Sequence, residues 1–314
     1  MKLIRKTFIF DDPAPTASCH ASTIVQMNEN LLISAWFGGE REGANDVRIW
    51  TSFCENGTWS VPISIPSDKE IPHWNPVLIK VDADTACLFY KTGFKIAKWR
   101  TMFTLSKDGG KTWTAPAELI PGDTSGGRGP VKNKAIYLSN GTLLAPASTE
   151  QGSWLPCIDI YTKENGWEKV DIPLPSPEVG LIQPTLWEFP NGHVHALMRS
   201  NCGYVYRSDS ADYGHAWSTA YRTELPNNNS GIDCALLSDH VLALVLNPVA
   251  DNWGKRTPLS IFLSTDQGAS FTKALDLETE DGEFSYPAII ADGNRLFVTY
   301  TWNRQKIAFC ELEL

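Results

Sequence analysis

The sequence lacks any long apolar run. No window of about 18 residues is apolar throughout, and a membrane-spanning helix needs that length. Residues 1–6 include three basic side chains. The stretch that follows, residues 7–10, is too short for the core of a signal peptide. There is no surplus of basic side chains either: the net charge of −9 argues against nucleic acid and anionic membranes as partners. These absences predict a cytoplasmic protein.

Cysteines at metal-ligand spacing are also absent. The chain has seven cysteines, an odd number, and a cytosolic protein would hold them as reduced, buried thiols. We therefore expect no metal centre and no cofactor, although a structural Ca²⁺ ion stays open. The cysteines are Cys19, Cys54, Cys87, Cys157, Cys202, Cys234 and Cys310.

The sequence has no linker, charge block or low-complexity segment, so we expect one domain over residues 1–314. Convincing amphipathic helix patterns are missing as well. Twelve tryptophans and 23 glycines suit a sheet protein rich in hairpins instead.

A turn motif that recurs three times organises the chain. Residues 106–113 (SKDGGKTW), 210–217 (SADYGHAW) and 264–271 (STDQGASF) each have Ser, Asp two residues on, Gly four on and an aromatic seven on. The Asp accepts hydrogen bonds from backbone N–H groups in the turn, and the Gly takes a positive φ. The aromatic ring folds back between neighbouring strands. The motif therefore predicts hairpin turns at equivalent places in a repeated unit.

The spacing of the motifs gives the size of the unit. Their positions indicate a period near ~53 residues, and degenerate copies stand at residues 52–59 and 161–167. A unit of about 50 residues of strands and turns fits a four-stranded propeller blade. The chain length then allows six blades.

These turns resemble the Asp boxes of the sialidase (neuraminidase) superfamily, the BNR-repeat proteins. The resemblance covers essentially the whole chain and implies an all-β fold, a six-bladed β-propeller with Asp-box turns. The Asp boxes indicate the fold and do not identify the activity, which has to be inferred from other residues.

Strand–turn–strand patterns mark the inner hairpins of successive blades. They occupy residues 19–36, 135–145, 184–198 and 288–300. Inner strands line the mouth of a central channel, so polar residues at their ends are the candidates for chemistry.

The resemblance implies a carboxylate-binding site. Arg199 and Arg256 match the second and third arginines of the sialidase triad, whereas His20 stands where the first arginine belongs. Two guanidinium forks suit the carboxylate of a sialic or uronic acid, and Arg304 adds a third positive charge. Taken alone, each arginine could be a surface residue, and His20 could be a hydrogen-bonded structural histidine.

The catalytic residues of a sialidase are matched less well. Asp46 lies on the charged loop that carries the acid/base Asp in sialidases, with Glu42 and Glu40 as alternatives, unless that loop is solvated surface. Arg304 and Gln305 occupy the place of the nucleophilic Tyr, and Gln183 stands where its Glu partner belongs, although an amide cannot act as that base. Only Tyr286 or Tyr300 could replace the Tyr, so the pair is missing or displaced.

Further polar and aromatic residues at comparable strand ends complete the predicted site. For Lys91, Lys134 and Glu150, a structural ion network is an equally good interpretation. The catalytic candidates are His20, Asp46, Glu150 and Tyr286, and the substrate-binding candidates are Arg199, Arg256, Gln183, Trp74, Asn75, Lys91, Lys134, Asp233, Asn247, Tyr300 and Arg304.

Three functions are compatible with these residues. The first is an exo-acting glycoside hydrolase that removes a terminal, carboxylate-bearing sugar from a glycan. The second is a lyase in which His20 serves as base or acid and the arginines stabilise the enolate-like charge of a uronate. The third is a non-catalytic glycan-binding propeller. In each case the expected partner is an anionic sugar or oligosaccharide, and the oligomeric state stays open.

Overall fold

The computed structural model describes residues 1–67, 70–238 and 240–314. Strands make up most of its regular structure, with short 3₁₀ helices at Ile96–Lys98 and Pro190–Gly192. The strands are β1 (Lys2–Phe8), β2 (Ser18–Asn28), β3 (Leu31–Gly39), β4 (Arg48–Glu55), β5 (Thr58–Trp59), β6 (Ile63–Ser64), β7 (His73–Lys80), β8 (Ala86–Thr92), β9 (Arg100–Ser106), β10 (Ala117–Glu118), β11 (Ile136–Tyr137), β12 (Leu143–Gln151), β13 (Ser153–Thr162), β14 (Gly166–Asp171), β15 (Leu181–Phe189), β16 (His193–Ser200), β17 (Tyr204–Ser210), β18 (Tyr221–Pro226), β19 (Asp233–Leu236), β20 (Leu242–Leu246), β21 (Leu259–Ser264), β22 (Thr272–Glu278), β23 (Phe284–Asp292), β24 (Arg295–Trp302) and β25 (Lys306–Glu313).

In the described part of the chain these strands form six antiparallel sheets, one for each predicted blade. Blades one to five follow the chain as β2–β5 (with β6 paired to β4), β7–β10, β11–β14, β15–β18 and β19–β22. Blade six takes β23, β24 and β25 and adds β1 as its outer strand. The prediction of an all-β, six-bladed propeller is confirmed.

The ring is closed by β1, whose place the sequence patterns do not predict. Lys6 pairs with Cys310 in the register of β1 and β25. The Lys6 ammonium lies 2.8 Å from Glu278, whose carboxylate also accepts a hydrogen bond from the hydroxyl of Tyr300. The first and last strands are thus held in one sheet.

The hydrophobic core consists of layers between neighbouring blades. One layer joins blades one and six through Trp36 and Phe309, both fully buried. Similar layers join each of the remaining pairs of adjacent blades around the ring. Each sheet buries both faces against its neighbours, which explains why strands such as β3 and β16 are buried along almost their whole length.

The Asp-box turns have the predicted geometry. In the first, Asp108 accepts a hydrogen bond from the backbone N–H of Thr112, and Ser106 accepts one from that of Gly110. The same bonds recur in the boxes at residues 210–217 and 264–271. The box glycines have positive φ values, and a Cβ at Gly110 would touch Ile33 of the preceding blade. Each turn therefore also packs against its neighbour.

Six of the cysteines are buried, Cys202 is exposed, and all seven are free thiols. Within residues 1–67, 70–238 and 240–314, no group of His, Cys, Asp and Glu side chains has an arrangement that suits a metal ion. None of the helical segments described has the length and apolar character needed to cross a bilayer.

Candidate functional site

Four inner strands share an unusual feature near their starts. The register shifts in β2, β7, β15 and β23, and one residue at each shift has a left-handed backbone. The residues are Ala21, Asn75, Gln183 and Tyr286, with φ values of 55°, 42°, 54° and 52°. A β-bulge of this kind redirects a side chain. In blades four and six, it brings Gln183 and Tyr286 to the same arginine.

That arginine is Arg199, near the end of β16. Its Nη1 donates to the hydroxyl of Tyr286 at 2.8 Å and to Oε1 of Gln183 at 3.3 Å. Its Nε donates to Oδ1 of Asn229 at 3.0 Å. Only 2% of Arg199 is exposed. Among the described residues, no carboxylate forms an ion pair with it, so its charge is buried among neutral partners.

His20 packs against Tyr286, with the ring centroids 4.3 Å apart. The imidazole is 2% exposed, and its Nδ1 has no hydrogen-bond partner in the described structure. Burial holds the pKa of His20 well below its usual value, and four nearby cations lower it further. They are Arg304, Arg256, Arg199 and Lys132. His20 is therefore a neutral imidazole at neutral pH.

Arg256 and Arg304 belong to a chain of ion pairs beside Tyr286. Glu283 accepts hydrogen bonds from Arg256 at 2.7 Å and from Arg304 at 2.9 Å. Arg304 also contacts Glu42 at 2.5 Å. The guanidinium of Arg256 lies 5.6 Å from the centre of the Tyr286 ring. Unlike Arg199, these two arginines are neutralised by carboxylates.

Glu150 and two tryptophans lie on the Arg199 side of the site. Glu150 is paired with Trp154 across β12 and β13, and the Trp154 ring lies 5.7 Å from the Arg199 guanidinium. Burial raises the pKa of Glu150, while the charge of Arg199 opposes that rise. Trp253, which is 63% exposed, meets Trp154 edge-on at 6.1 Å.

An aromatic row extends from His20 into blade two. Phe37 lies 5.6 Å from His20, and Trp74 lies 6.0 Å from Phe37. The Trp74 indole donates to the carbonyl of Gly93 at 2.9 Å. The predicted residue Trp74 is therefore connected to the site through Phe37, and Asn75 follows it as the buried bulge residue of β7.

Lys134 and Asp233, both predicted to bind substrate, form a link between blades. The Lys134 ammonium lies 2.9 and 3.0 Å from the two oxygens of Asp233. The same carboxylate accepts hydrogen bonds from Thr185 at 2.6 Å and from the backbone N–H of Ile289 at 3.0 Å. Blades three to six are joined at this point, so the structural ion network is the interpretation that fits this pair.

Lys91 and Tyr300 are likewise occupied by structural contacts. The Lys91 ammonium is fully buried and donates to Thr101, to the carbonyl of Arg128 and to that of Gly129. Burial lowers its pKa to about 7. Tyr300 is buried and donates to Glu278 at the ring closure. Neither residue joins the cluster around Arg199.

Asn247 and Asp46 support the backbone around them. The Asn247 amide donates to the carbonyls of Pro258 and Phe284, both at 2.9 Å. Asp46 is exposed and accepts a hydrogen bond from the backbone N–H of Glu40, which closes its own loop. From the same loop, Glu42 contacts Arg304.

Several residues of the cluster have no role assigned from the sequence. Glu283 and Asn229 are polar residues close to predicted strands, but only the structure shows that they contact Arg256 and Arg199. Trp154 follows the predicted residue Glu150 in the sequence, and Lys132 precedes Lys134. This proximity in the sequence was the only indication that they belong to the site.

The BNR repeat-like domain family model matches residues 30–298. No curated protein matches the sequence. Several solved structures share the fold at low sequence identity. A Dyadobacter fermentans protein of unknown function has a TM-score of 0.80 and 16% identity over 100% of this chain and 99% of its own.

Two sialidases are also similar. The NanB sialidase of Streptococcus pneumoniae has a TM-score of 0.73 and 13% identity over 98% of this chain and 70% of its own. The Trypanosoma rangeli sialidase has a TM-score of 0.74 and 14% identity over 94% of this chain and 55% of its own. Identities this low show a shared fold only. Because the family model spans most of the sequence, the chain belongs to the BNR repeat-like domain family.

Proposed function

We propose that the protein is a glycan-cleaving enzyme that hydrolyses the bond to a terminal, carboxylate-bearing sugar. The observation that carries this proposal is the buried guanidinium of Arg199, which has no carboxylate partner among the described residues. A charge removed from water is costly unless it is paired. An anionic ligand at Arg199 would supply the missing partner.

The chemistry of the guanidinium identifies the anion. Nη1 and Nε of Arg199 already donate to Tyr286, Gln183 and Asn229, so a carboxylate would bind at Nη2 through charge-assisted hydrogen bonds. A sugar stacked on Trp154 would bring its carboxylate to this guanidinium, since that ring lies beside Arg199. Trp253 extends the aromatic surface toward solvent. These features suit a sialic or uronic acid.

Hydrolysis needs an acid and a nucleophile. Glu150 fits the acid, because its raised pKa favours the protonated form that gives a proton to the departing glycosidic oxygen. Tyr286 fits the nucleophile, since its hydroxyl oxygen is hydrogen-bonded by Arg199. The oxygen of Tyr286 forms a bond to the anomeric carbon as the glycosidic bond breaks, and we assign its proton to the neutral imidazole of His20, whose ring packs on the Tyr286 ring. Water then gives a proton to Glu150 and attacks the same carbon, and the departing Tyr286 oxygen takes its proton back from His20.

One observation favours elimination as a second candidate reaction. His20 and Tyr286 form a close pair, and His20 is neutral, as a base must be. In this reaction His20 removes the proton α to a uronate carboxylate, and Tyr286 protonates the leaving oxygen. The charge that develops on the carboxylate is stabilised by Arg199.

A panel of sialosides and uronic-acid oligosaccharides tests both reactions. Hydrolysis releases a terminal monosaccharide without any gain in the ultraviolet absorbance of unsaturated uronate, whereas elimination produces that absorbance. Activity should be lost in Tyr286→Phe and retained in Arg222→Met, which removes an exposed arginine on β18. Sugar binding without any product from the panel would overturn the enzyme proposal and leave a glycan-binding propeller.

A further inference from the structure

Blade three differs from the other blades at the centre of the ring. Its innermost strand, β11, has only two residues, and the segment before it runs irregularly past the inner strands of other blades. Lys132 and Asn133 lie in this segment and are both buried. Lys132 has a φ of 64°, an unusual backbone for a residue with a side chain. Such strain persists where surrounding contacts hold it.

The side chain of Lys132 holds the backbone of blades five and six. Its Nζ donates to the carbonyl of Ile232 at 2.7 Å, to that of Pro287 at 2.5 Å and to Oδ1 of Asn133 at 2.8 Å. Three acceptors require the three N–H donors of an ammonium group. Pro287 directly follows Tyr286 in the bulge of β23. Lys132 therefore ties down the backbone that presents Tyr286.

Gly231 shows how closely these groups are packed. A Cβ added at this glycine would lie 2.8 Å from Cε of Lys132 and 3.3 Å from Cγ of Tyr286. Only a residue without a side chain fits at this point. The lysine stem and the tyrosine ring thus both lie on the side of Gly231 from which a Cβ would project.

The neighbouring side chain holds the other bulge. Asn133 donates from Nδ2 to the carbonyls of Gln183 and Pro184, at 2.9 and 3.0 Å. Gln183 is the bulge residue of β15 and contacts Arg199 through its own side chain. Two consecutive residues therefore fix the two bulges whose side chains, Gln183 and Tyr286, meet at Nη1 of Arg199.

We propose that Lys132 and Asn133 form a positioning pair that sets the place of Tyr286 and Gln183 around Arg199. The role in catalysis rests on the proposed function, whereas the role in geometry does not. A nucleophile or acid displaced by about 1 Å loses roughly 10²-fold in rate. The pair would act through Tyr286 without touching the substrate.

A matched control exists in Lys91. This lysine is also fully buried and donates to three acceptors, but they lie in β9 and in the segment between β10 and β11. Burial lowers the pKa of both lysines to about 7. Lys132→Met and Lys91→Met thus remove similar groups, of which only one holds the Tyr286 bulge.

The experiment combines NMR of the folded protein with kinetics. Tyrosine labelled with ¹³C at the Cζ atom gives a signal for Tyr286, assigned by its loss in Tyr286→Phe. We expect the signal to shift in Lys132→Met and in Asn133→Ala, and to stay in place in Lys91→Met. On a cleaved glycan, kcat should fall about 10²-fold in Lys132→Met with little change in KM, while Lys91→Met keeps its kcat at a lower melting temperature.

The outcomes separate the two proposals. An unmoved Tyr286 signal in both Lys132→Met and Asn133→Ala overturns the positioning pair. If Lys132→Met does not fold, Asn133→Ala alone decides. If the wild type cleaves no glycan, the proposed function fails, and the NMR signal still reports whether the pair positions Tyr286.

Discussion

Arg199 and Lys134 are two basic side chains near the centre of the same ring, and their surroundings differ in one respect. Lys134 lies against both oxygens of Asp233. Arg199 is the more deeply buried of the two, yet its hydrogen-bond partners among the described residues are two amides and a phenol. A buried cation whose carboxylate comes from the same chain stabilises the fold. One without such a partner among the described residues is available to an anion from outside.

The comparison extends to the other arginines of the site. Arg256 shares Glu283 with Arg304, and Arg304 also holds Glu42. Their charges are already balanced within the protein. A substrate carboxylate should therefore bind most favourably at Arg199. All three arginines lower the pKa of His20.

The largest effect is expected on stability, from Lys134→Met. Removing one partner of a buried ion pair leaves Asp233 uncompensated and costs about 3–5 kcal/mol of unfolding free energy. Chemical denaturation measures the loss. Lys273→Met, which breaks an exposed pair with Asp276, should cost less than about 1 kcal/mol. A stable Lys134→Met protein that has lost sugar binding would place Lys134 in the site after all.

Arg199→Met should affect activity instead. Loss of a group that binds developing or substrate charge lowers kcat by roughly 10²–10³-fold, or about 3–4 kcal/mol. Removing an unpaired buried charge is favourable, whereas losing the hydrogen bonds to Tyr286, Gln183 and Asn229 is unfavourable, so the unfolding free energy without ligand should fall less than in Lys134→Met. Steady-state kinetics and chemical denaturation on one preparation check both halves. A loss as large as that in Lys134→Met would contradict the view that Arg199 has no carboxylate partner among the described residues.

Ligand-induced stabilisation gives a direct comparison of the two residues. An anionic sugar at about 100 times its Kd should stabilise the wild type by about 2.7 kcal/mol. The same sugar should not raise the melting temperature of Arg199→Met. Lys134→Met should have a lower melting temperature without ligand, but the sugar should raise it as much as it does in the wild type. Equal increments in both variants would show that the sugar binds elsewhere.

The smallest effect concerns pH. The pKa of His20 is lowered in the folded protein, so the unfolded chain takes up a proton near pH 6.5 that folded His20 refuses. Stability therefore falls as the pH drops below about 6.5, by at most roughly 1.4 kcal/mol per pH unit for this group. His73 acts in the same direction, with its pKa lowered to about 4 by burial.

Denaturation at several pH values checks this slope, which should decrease in His20→Gln. Arg199→Met should raise the pKa of His20, because a cation that opposes imidazolium is removed. The cations that lower the pKa of His20 most are Arg304, Arg256, Arg199 and Lys132. An identical shift in Lys134→Met would remove the distinction between the two cations.

The fold was accessible from the sequence because the Asp boxes repeat. Their turns depend on local hydrogen bonds, so the residue types at Ser106, Asp108 and Gly110 suffice to identify them. The position of β1 was not accessible, because its pairing with β25 joins opposite ends of the sequence and leaves no local pattern.

The site was only partly accessible. The ends of inner strands contain His20, Arg199 and Tyr286, and the structure brings these three together. The same rule also selected Lys134, because position on a strand does not reveal which carboxylate lies across the ring. The contacts of Lys132 to blades five and six are set by tertiary packing alone.

Pairing β1 with β25 has a consequence for synthesis on the ribosome. β1 precedes blade one in the chain and finds its hydrogen-bonding partner only after blades one to five and most of blade six have been made. Until then the face of blade one that packs on blade six, which includes Trp36, lacks the side chains that cover it. Nascent chains should therefore stay susceptible to aggregation until late in translation, and a chaperone that shields blade one would act during that interval.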